Sequence, residues 1–451
     1  MSSTGHPSSQ YTPITSLLKS LRNTQTPTSA DDIAEAFSLI FEDRLSPAQA
    51  ATFLTILSLT SRDKDADVLA ACADRMRKAA FHVDLPALKS IVETRGVTEG
   101  TYHGGLCDIV GTGGSSLQTY NISTTASLIA SSLLLMSKHG NRAQTSVSGA
   151  ADILSSILPT PPSLTASNAQ NIPQIYEKSS YAFLFAPNFH PGMRYAGPLR
   201  KEMGIRTIFN LLGPLAHPIE ELVEARLIGV TEGALGPVFA EALRISGLKK
   251  AKGMRKAMVV SGREGLDEIS CAGMTDCWKV NEPLECSEQA EVEIEHFQLE
   301  PTDFGFPTHP LSAIRGGDAP KDNADILMRL LEGKLEYEDP IMQVVLMNTA
   351  AMLVVSGICE GGTSHMGEGD SGVVVTERGP GHGRWKEGVR RAKWAVRSGA
   401  ALRSLKAFTE VSNNCLGTRT TSPKICETGE MSQQVVPNNG ETKGSLFGNK
   451  I

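Results

Sequence analysis

The stretch 108-DIVGTGGSSLQTYNIST-124 decides how this chain of 451 residues folds. A short apolar run ends at Gly111. Gly113 and Gly114 follow, then small polar residues, and a helix is predicted to open at Asn121 to Thr124. Glycine permits positive φ and lets a ligand come close to backbone N–H groups. A helix start then points unpaired N–H groups, and the positive end of its dipole, at an anion. Strand, glycine turn and helix in that order read as a phosphate-binding corner of an α/β sheet. Taken alone, the same turn also fits an ordinary strand-to-helix connection.

The next segment downstream, 138-KHGNRAQTSVSGAADIL-154, points the same way. Lys138 and Arg142 bring positive charge, His139 and Asn141 bring donors, and Thr145, Ser146 and Ser148 bring hydroxyls. A cationic, small-residue, glycine-punctuated segment after a buried-looking run reads as a loop over a phosphate. Further on, 259-VVSGREGLDEIS-270 predicts a strand that ends in a glycine loop carrying Asp267 and Glu268. Adjacent carboxylates at a strand end suit Mg²⁺, which prefers oxygen ligands and often bridges to substrate phosphates; for this motif alone, a chance pair of neighbouring acids is the leading reading. Between these lies 188-NFHPGMRYAGPLRKEMGIRTIFNLLGPL-215, with His190, Arg194, Arg200, Lys201 and Arg206 set among apolar residues. An arginine in such surroundings can grip a planar carboxylate bidentately. Ordinary helix-surface charge is the competing reading for any one of them.

Upstream, the periodicity is helical. Ile33, Phe37, Ile40 and Phe41 share one face, and 46-SPAQ-49 has the form of a capping box with Pro47 at the first helical position. Val68, Leu69, Cys72 and Met76 form another apolar face. Beyond about residue 106, runs rich in Val, Ile and Leu alternate with glycine turns and helical stretches. The fold class is therefore α/β: a small helical domain plus a larger α/β domain with a central, mainly parallel sheet. The expected boundaries are a disordered N-terminus (1–11) and a helical domain (12–92) that a proline-rich, helical return segment (about 172–210) joins. The α/β domain covers 93–171 and 211–411. Eight glycines in residues 361–384 predict a flexible insertion, and the polar segment 412–451 predicts a disordered tail.

Bulk properties narrow the function. A net charge of −6 gives no basic field for nucleic acid. The eight cysteines form no CxxC pair and read as reduced thiols of a cytoplasmic protein. No secretory or transit signal is expected at the N-terminus. The most apolar stretch, 341-IMQVVLMNTAAMLVVSGI-358, carries Gln343, Asn348 and Thr349 and reads as a buried helix, so no membrane span is expected.

In this order, the motifs closely resemble anthranilate phosphoribosyltransferases. The likeness runs over about residues 12–411, through SPAQAATFL, DIVGTGG, NIST, KHGNR, RKEMGIRTIFNLLGPL, GLDEIS, IRGGDAPKDNA and AVRSGAALRSLKAF. It implies a homodimer formed mainly through the helical domain, with the active site between the domains. The implied substrates are anthranilate and 5-phosphoribosyl 1-pyrophosphate, with Mg²⁺ as cofactor. The resemblance puts the phosphoribosyl donor against Gly111, Gly114, Ser115, Thr119, Asn121, Ile122, Ser123, Thr124, Lys138, His139, Gly140, Asn141, Arg142, Thr145, Ser146 and Ala150. It puts Mg²⁺ on Ser123, Asp267 and Glu268, and anthranilate on Gly111, Asn141 and Arg200 with His139 lining the pocket. Lys138, His139 and Arg200 are the implied catalytic residues.

The chain departs from the family at Ser115, where the pattern GTGGD has an acid, and at Ala150, where serine is common. The loss of that acid leaves an alternative: a catalytically weakened or inactive relative of the same fold, acting as a binding or scaffold protein. A pyrimidine nucleoside phosphorylase of similar architecture is a poorer match, because its pattern lacks KHGN together with RKEMG.

Overall fold

The computed structural model describes residues 11–23, 28–113, 117–143, 147–248, 256–281 and 292–417. Its centre is a seven-stranded sheet. The strands are β1 (Leu106–Gly111), β2 (Leu135–Gly140), β3 (Tyr181–Phe185), β4 (Val223–Gly229), β5 (Lys256–Gly262), β6 (Thr275–Val280) and β7 (Ile294–Leu299). Their order across the sheet is β3-β2-β1-β4-β5-β6-β7. The pairs from β3 to β5 are parallel, whereas β5–β6 and β6–β7 are antiparallel. This is the mainly parallel α/β architecture the sequence predicts. β4 is buried along its whole length, as expected for a parallel strand covered on both faces.

The two faces are covered by different material. Leu227, Met258 and Val260 pack into one apolar core, whereas Ile228, Val230, Ala257 and Val259 belong to a second. The second core is shared with the N-terminal helices Ala30–Phe41, Pro47–Leu59 and Ala66–Lys78 through Phe37, Phe53, Leu69 and Cys72. Serine caps start two of these helices: Ser29 Oγ accepts from Asp32 N, and Ser46 Oγ accepts from Gln49 N at 3.4 Å. The Gln49 side chain does not return to the cap. Its Oε1 accepts from Ile14 N at 2.9 Å and ties down the segment ahead of the helix.

Four sequence expectations change here. The return segment is not helical throughout, because Tyr181–Phe185 is an edge strand paired with β2. Only its later part reaches the helical lobe: the helix Met193–Met203 leads to Phe209, whose ring lies 5.0 Å from Phe37 and 6.0 Å from Phe41. The helix Leu85–Arg95 falls on the other side of the expected boundary at residue 92. Its Leu88 and Val92 enter the sheet's core, and Arg95 donates to Ser179 O at 2.8 Å. The tail expected from residue 412 begins inside the helix Ala400–Gly417, where Ser412 Oγ accepts from Ser163 N.

The glycine-rich insertion is fastened down. The Asp370 carboxylate accepts from Ser364 Oγ, Met366 N and Arg390 Nη1, and Val375 N donates to Glu387 Oε2 at 2.9 Å. Glu387 in turn holds the fully buried Arg391, which reaches Glu99. The apolar stretch near residue 350 is the buried helix Pro340–Ser356. Among the described residues no helix is long and apolar enough to cross a membrane.

Candidate active site

β1 and β4 lie side by side, but the chain leaves them in opposite directions across the sheet, toward β2 and toward β5. Such a reversal opens a crevice beyond the carboxyl ends of the two strands, where α/β folds bind ligands. Here Gly111 of β1 pairs with Gly229 of β4, and Thr112 N donates to Gly229 O. Asp267, from the turn after β5, lies across both glycines. A Cβ on Gly111 would stand 2.2 Å from Asp267 Oδ2, and one on Gly229 1.6 Å from Asp267 O. Gly113, at φ +66°, turns its N–H onto Asp267 Oδ2 at 2.8 Å. Gly111 thus makes room for the Asp267 carboxylate, and Gly229 for the backbone that carries it.

Lys138 and His139 are the fourth and fifth residues of β2, with the loop beginning only after Gly140. Lys138 Nζ donates to Ile109 O at 2.7 Å and to Ser123 Oγ at 3.4 Å, so it spans β1 and the helix Ile122–Ala130. Asn121 precedes that helix without capping it; its Nδ2 donates instead to Ser148 O and ties the two phosphate-type loops together. The second loop is shaped by Asp152, which accepts from Arg142 Nη1, Ala143 N and Gly149 N at 2.8–3.0 Å. Ala150 opens the short helix Ala150–Ser155 beside it. Thr119 bridges to Arg315, and Gln118 O and Ile314 O accept from Gly316 N and Tyr120 N.

The charges are poised for a cation. Burial pushes the Asp267 carboxyl above its ordinary range, against the pull of the Gly113 N–H and Lys138. Burial and the adjoining Asp267 charge push Glu268 well above its range. Glu268 accepts no hydrogen bond among the described residues. Burial also pushes the Lys138 ammonium down, opposed by Asp108, Glu268 and Asp267. Two crowded carboxylates with free oxygen lone pairs, beside the Ser123 hydroxyl, are a donor set that fits Mg²⁺. Among the described residues no cluster of three or more carboxylate, imidazole or thiol groups forms a closed metal cage.

Beside Lys138, the ring of His139 lies 5.3 Å from His190 and 5.9 Å from His217. Burial lowers the pKa of all three, that of His190 to about 4, so they are neutral near pH 7. His139 Nε2 is buried without a hydrogen-bond partner among the described residues. Arg200, in the helix Met193–Met203, places its guanidinium 5.4 Å over the Phe209 ring.

Two family profiles match the chain: the glycosyl transferase family helical bundle domain over residues 15–80, and that family's a/b domain over 103–402. Anthranilate phosphoribosyltransferase of Schizosaccharomyces pombe is 36% identical over 378 residues, covering 84% of this chain and 91% of its own length. The Saccharomyces cerevisiae enzyme is 34% identical over 365 residues, 80% of this chain and 85% of that one. The chain belongs to the anthranilate phosphoribosyltransferase family. A solved structure of the Saccharomyces cerevisiae enzyme in complex with PRPP and Mg superposes with a TM-score of 0.71 at 32% identity, covering 88% of this chain and 97% of that one. Another, in complex with 4-fluoroanthranilate, gives 0.69 at 30% identity, with the same coverage.

Of the residues that the family resemblance singles out, direct contacts join Ser123 to Lys138, and the Gly111 strand end meets Asp267. Lys138, His139 and Gly140 share one strand, and Ile122, Ser123 and Thr124 share one helix turn. Asn141 and Arg142 follow on the exposed loop, where Arg142 is engaged with Asp152 rather than reaching out. Gly114, Ser115, Thr145 and Ser146 lie outside the described residues. Below the family motifs sits a charged layer that the sequence pattern does not reveal. Asp108 accepts from His139 N, Arg226 pairs with Asp108 at 3.3 Å and Glu220 at 3.0 Å, and His217 Nε2 reaches Ser137 O at 2.9 Å.

Proposed function

We infer that the crevice above β1 and β4 carries the reaction of the family. The 5-phosphoribosyl group passes from 5-phosphoribosyl 1-pyrophosphate to the amine of anthranilate, and pyrophosphate leaves. This is a pentosyl transfer, the second step from chorismate toward tryptophan. The observation that carries the assignment is the convergence of Lys138, Ser123 and Asp267 at the end of β1, with Glu268 next in the chain.

Mg²⁺, held by Ser123, Asp267 and Glu268, would neutralise charge on the pyrophosphate as it departs. Lys138 holds a second positive charge in the same buried corner, where electrostatic stabilisation is strongest. Its bond to Ile109 O fixes the ammonium before substrate arrives, so little reorganisation is needed. Gly114 and Ser115, the N-terminal turn from Asn121 to Thr124 and the residues from Gly140 to Ser146 bind the donor's phosphates and ribose. Arg200 grips the anthranilate carboxylate and turns the amine toward the sugar, with Gly111 and Asn141 bounding the ring and Ala150 lining the donor side. His139, kept neutral, offers its Nε2, which has no partner among the described residues, as a hydrogen-bonding atom. Its depressed pKa makes it a weak base, which suits an aromatic amine attacking a ribose of oxocarbenium character.

The working unit is a homodimer formed through the helical domain. This is supported by Leu59, 80% exposed at the end of the helix Pro47–Leu59, and by the half-buried Leu17 and Leu18 of the helix Thr15–Leu21, which touches it. A cytoplasmic setting is supported by the cysteines: all six in the described residues are buried free thiols.

Anthranilate fluorescence tests the activity. Emission should fall only when protein, phosphoribosyl donor and Mg²⁺ are all present, and that result would also show that Ser115 is tolerated. A folded protein that leaves the emission unchanged under all three would overturn the assignment in favour of an inactive binding or scaffold role.

A further inference from the structure

The turn that carries Asp267 and Glu268 has to hold two like charges in place, although Glu268 makes no hydrogen bond of its own among the described residues. What holds it comes from another part of the chain. Asn348 sits in the middle of the apolar helix Pro340–Ser356 and is 1% exposed. Its Oδ1 accepts from Ile269 N at 2.9 Å, and its Nδ2 donates to Ile269 O at 3.1 Å and to Val344 O at 2.9 Å. One amide thus binds both backbone polar groups of the residue next to Glu268. Only one orientation of that amide satisfies all three bonds, because the two carbonyls need donors and the N–H needs an acceptor.

We propose that Asn348 is a positioning residue for the Asp267–Glu268 pair, setting the direction in which the two carboxylates present their oxygens to a divalent cation. The peptide that joins Glu268 to Ile269 is planar. Fixing Ile269 N therefore fixes the plane in which the Glu268 carbonyl lies, and with it the position of the Glu268 Cα from which the side chain departs. Neighbouring supports are weaker in kind. Ser270 N donates to the Thr275 hydroxyl at 2.9 Å, and Leu266 O accepts from Gly262 N at 2.8 Å; each binds a single backbone group. A polar amide inside an apolar helix costs desolvation unless every bond is made. At Asn348 two of the three bonds that recover this cost are directed at the turn that carries Asp267 and Glu268.

The proposal rests on the reading that Asp267 and Glu268 hold Mg²⁺, and the test separates the two. Thermal stabilisation by 5-phosphoribosyl 1-pyrophosphate is measured over a series of Mg²⁺ concentrations, and the Mg²⁺ midpoint is read without turnover. Asn348→Ala should raise that midpoint about tenfold or more, as loss of a group orienting a metal ligand does. Val345→Ala, which removes apolar contact from the same helix, should lower the melting temperature and leave the midpoint in place. Glu268→Gln is the reference. If it leaves the midpoint unmoved, the Mg²⁺ assignment fails. If it moves the midpoint and Asn348→Ala does not, or if Val345→Ala moves it as far as Asn348→Ala, the positioning role is overturned. Should Asn348→Ala fail to fold, Asn348→Ser carries the same test, since its hydroxyl can still donate to Val344 O.

Discussion

Burying neutral histidines next to a substrate pocket ties stability to acidity. His190 is 4% exposed, and its pKa falls from 6.5 to about 4 in the folded chain. The unfolded chain therefore binds more protons between those values, and stability rises with pH across that window. The His190 contribution is fully present above about pH 6.5 and is lost as pH falls toward 4. His190→Gln should flatten the fall in urea-unfolding free energy between pH 7.5 and 4.5 by on the order of 2 kcal/mol. Parallel curves for variant and wild type would sink the idea. Lys138, Ser123, Asp267 and Glu268 were legible in the sequence because each belongs to a short local pattern with a chemical reason behind it. The pairing of Arg226 with Asp108 was not, since it spans 118 positions and Arg226 carries no local signal. His139 and Lys138 read as loop residues because their charge outweighed any strand pattern. Pairing with Phe183 and Leu184 of β3 is what makes them strand.

Among the elements, the segment 361–384 shows where composition misleads. Glycine content alone predicts mobility, yet Arg390 joins Asp370, Ser364 and Glu387 into one network. Charge-assisted contacts of this kind, partly shielded from water, hold a chain that has few apolar side chains to bury. Arg390→Ala should speed proteolysis within 361–376 about tenfold or more under native conditions, since cleavage there tracks the open population. Unchanged cleavage would mean that the segment is held by other contacts. Helices with a cap or a clean face were legible: Ser46 marks one start, Ile33, Phe37, Ile40 and Phe41 mark another helix by their face, and the apolar run around Asn348 is the buried helix that its central polar residues announced. β3 was hidden because 181-YAFLF-185 is a short apolar run among prolines, where periodicity cannot separate strand from helix.

Across the whole molecule, the sheet is a wall shared by two cores. Ile228, Val230 and Val259 on one face complete the core of the N-terminal helices, while Leu227, Met258 and Val260 on the other belong to the main core. The helical lobe therefore has no separate interior to fold around. Calorimetry should show one cooperative transition for residues 11–417. A chain beginning at residue 81 should expose the back of β4 and β5 and aggregate. Two resolved transitions, or a soluble and folded truncation, would count against the shared wall.

At Gly111 and Gly229 the absent methyl groups are as much a part of the site as any side chain. Asp267 occupies the space that two alanines would claim. The two glycines are held for different reasons. A lineage that drifted at Gly111 would first have to give up its acid, whereas one that drifted at Gly229 would have to move the backbone that carries it, whatever side chain stood at 267. Loss of the acid would free position 111 and leave 229 bound, although all three residues come from separate stretches of the chain.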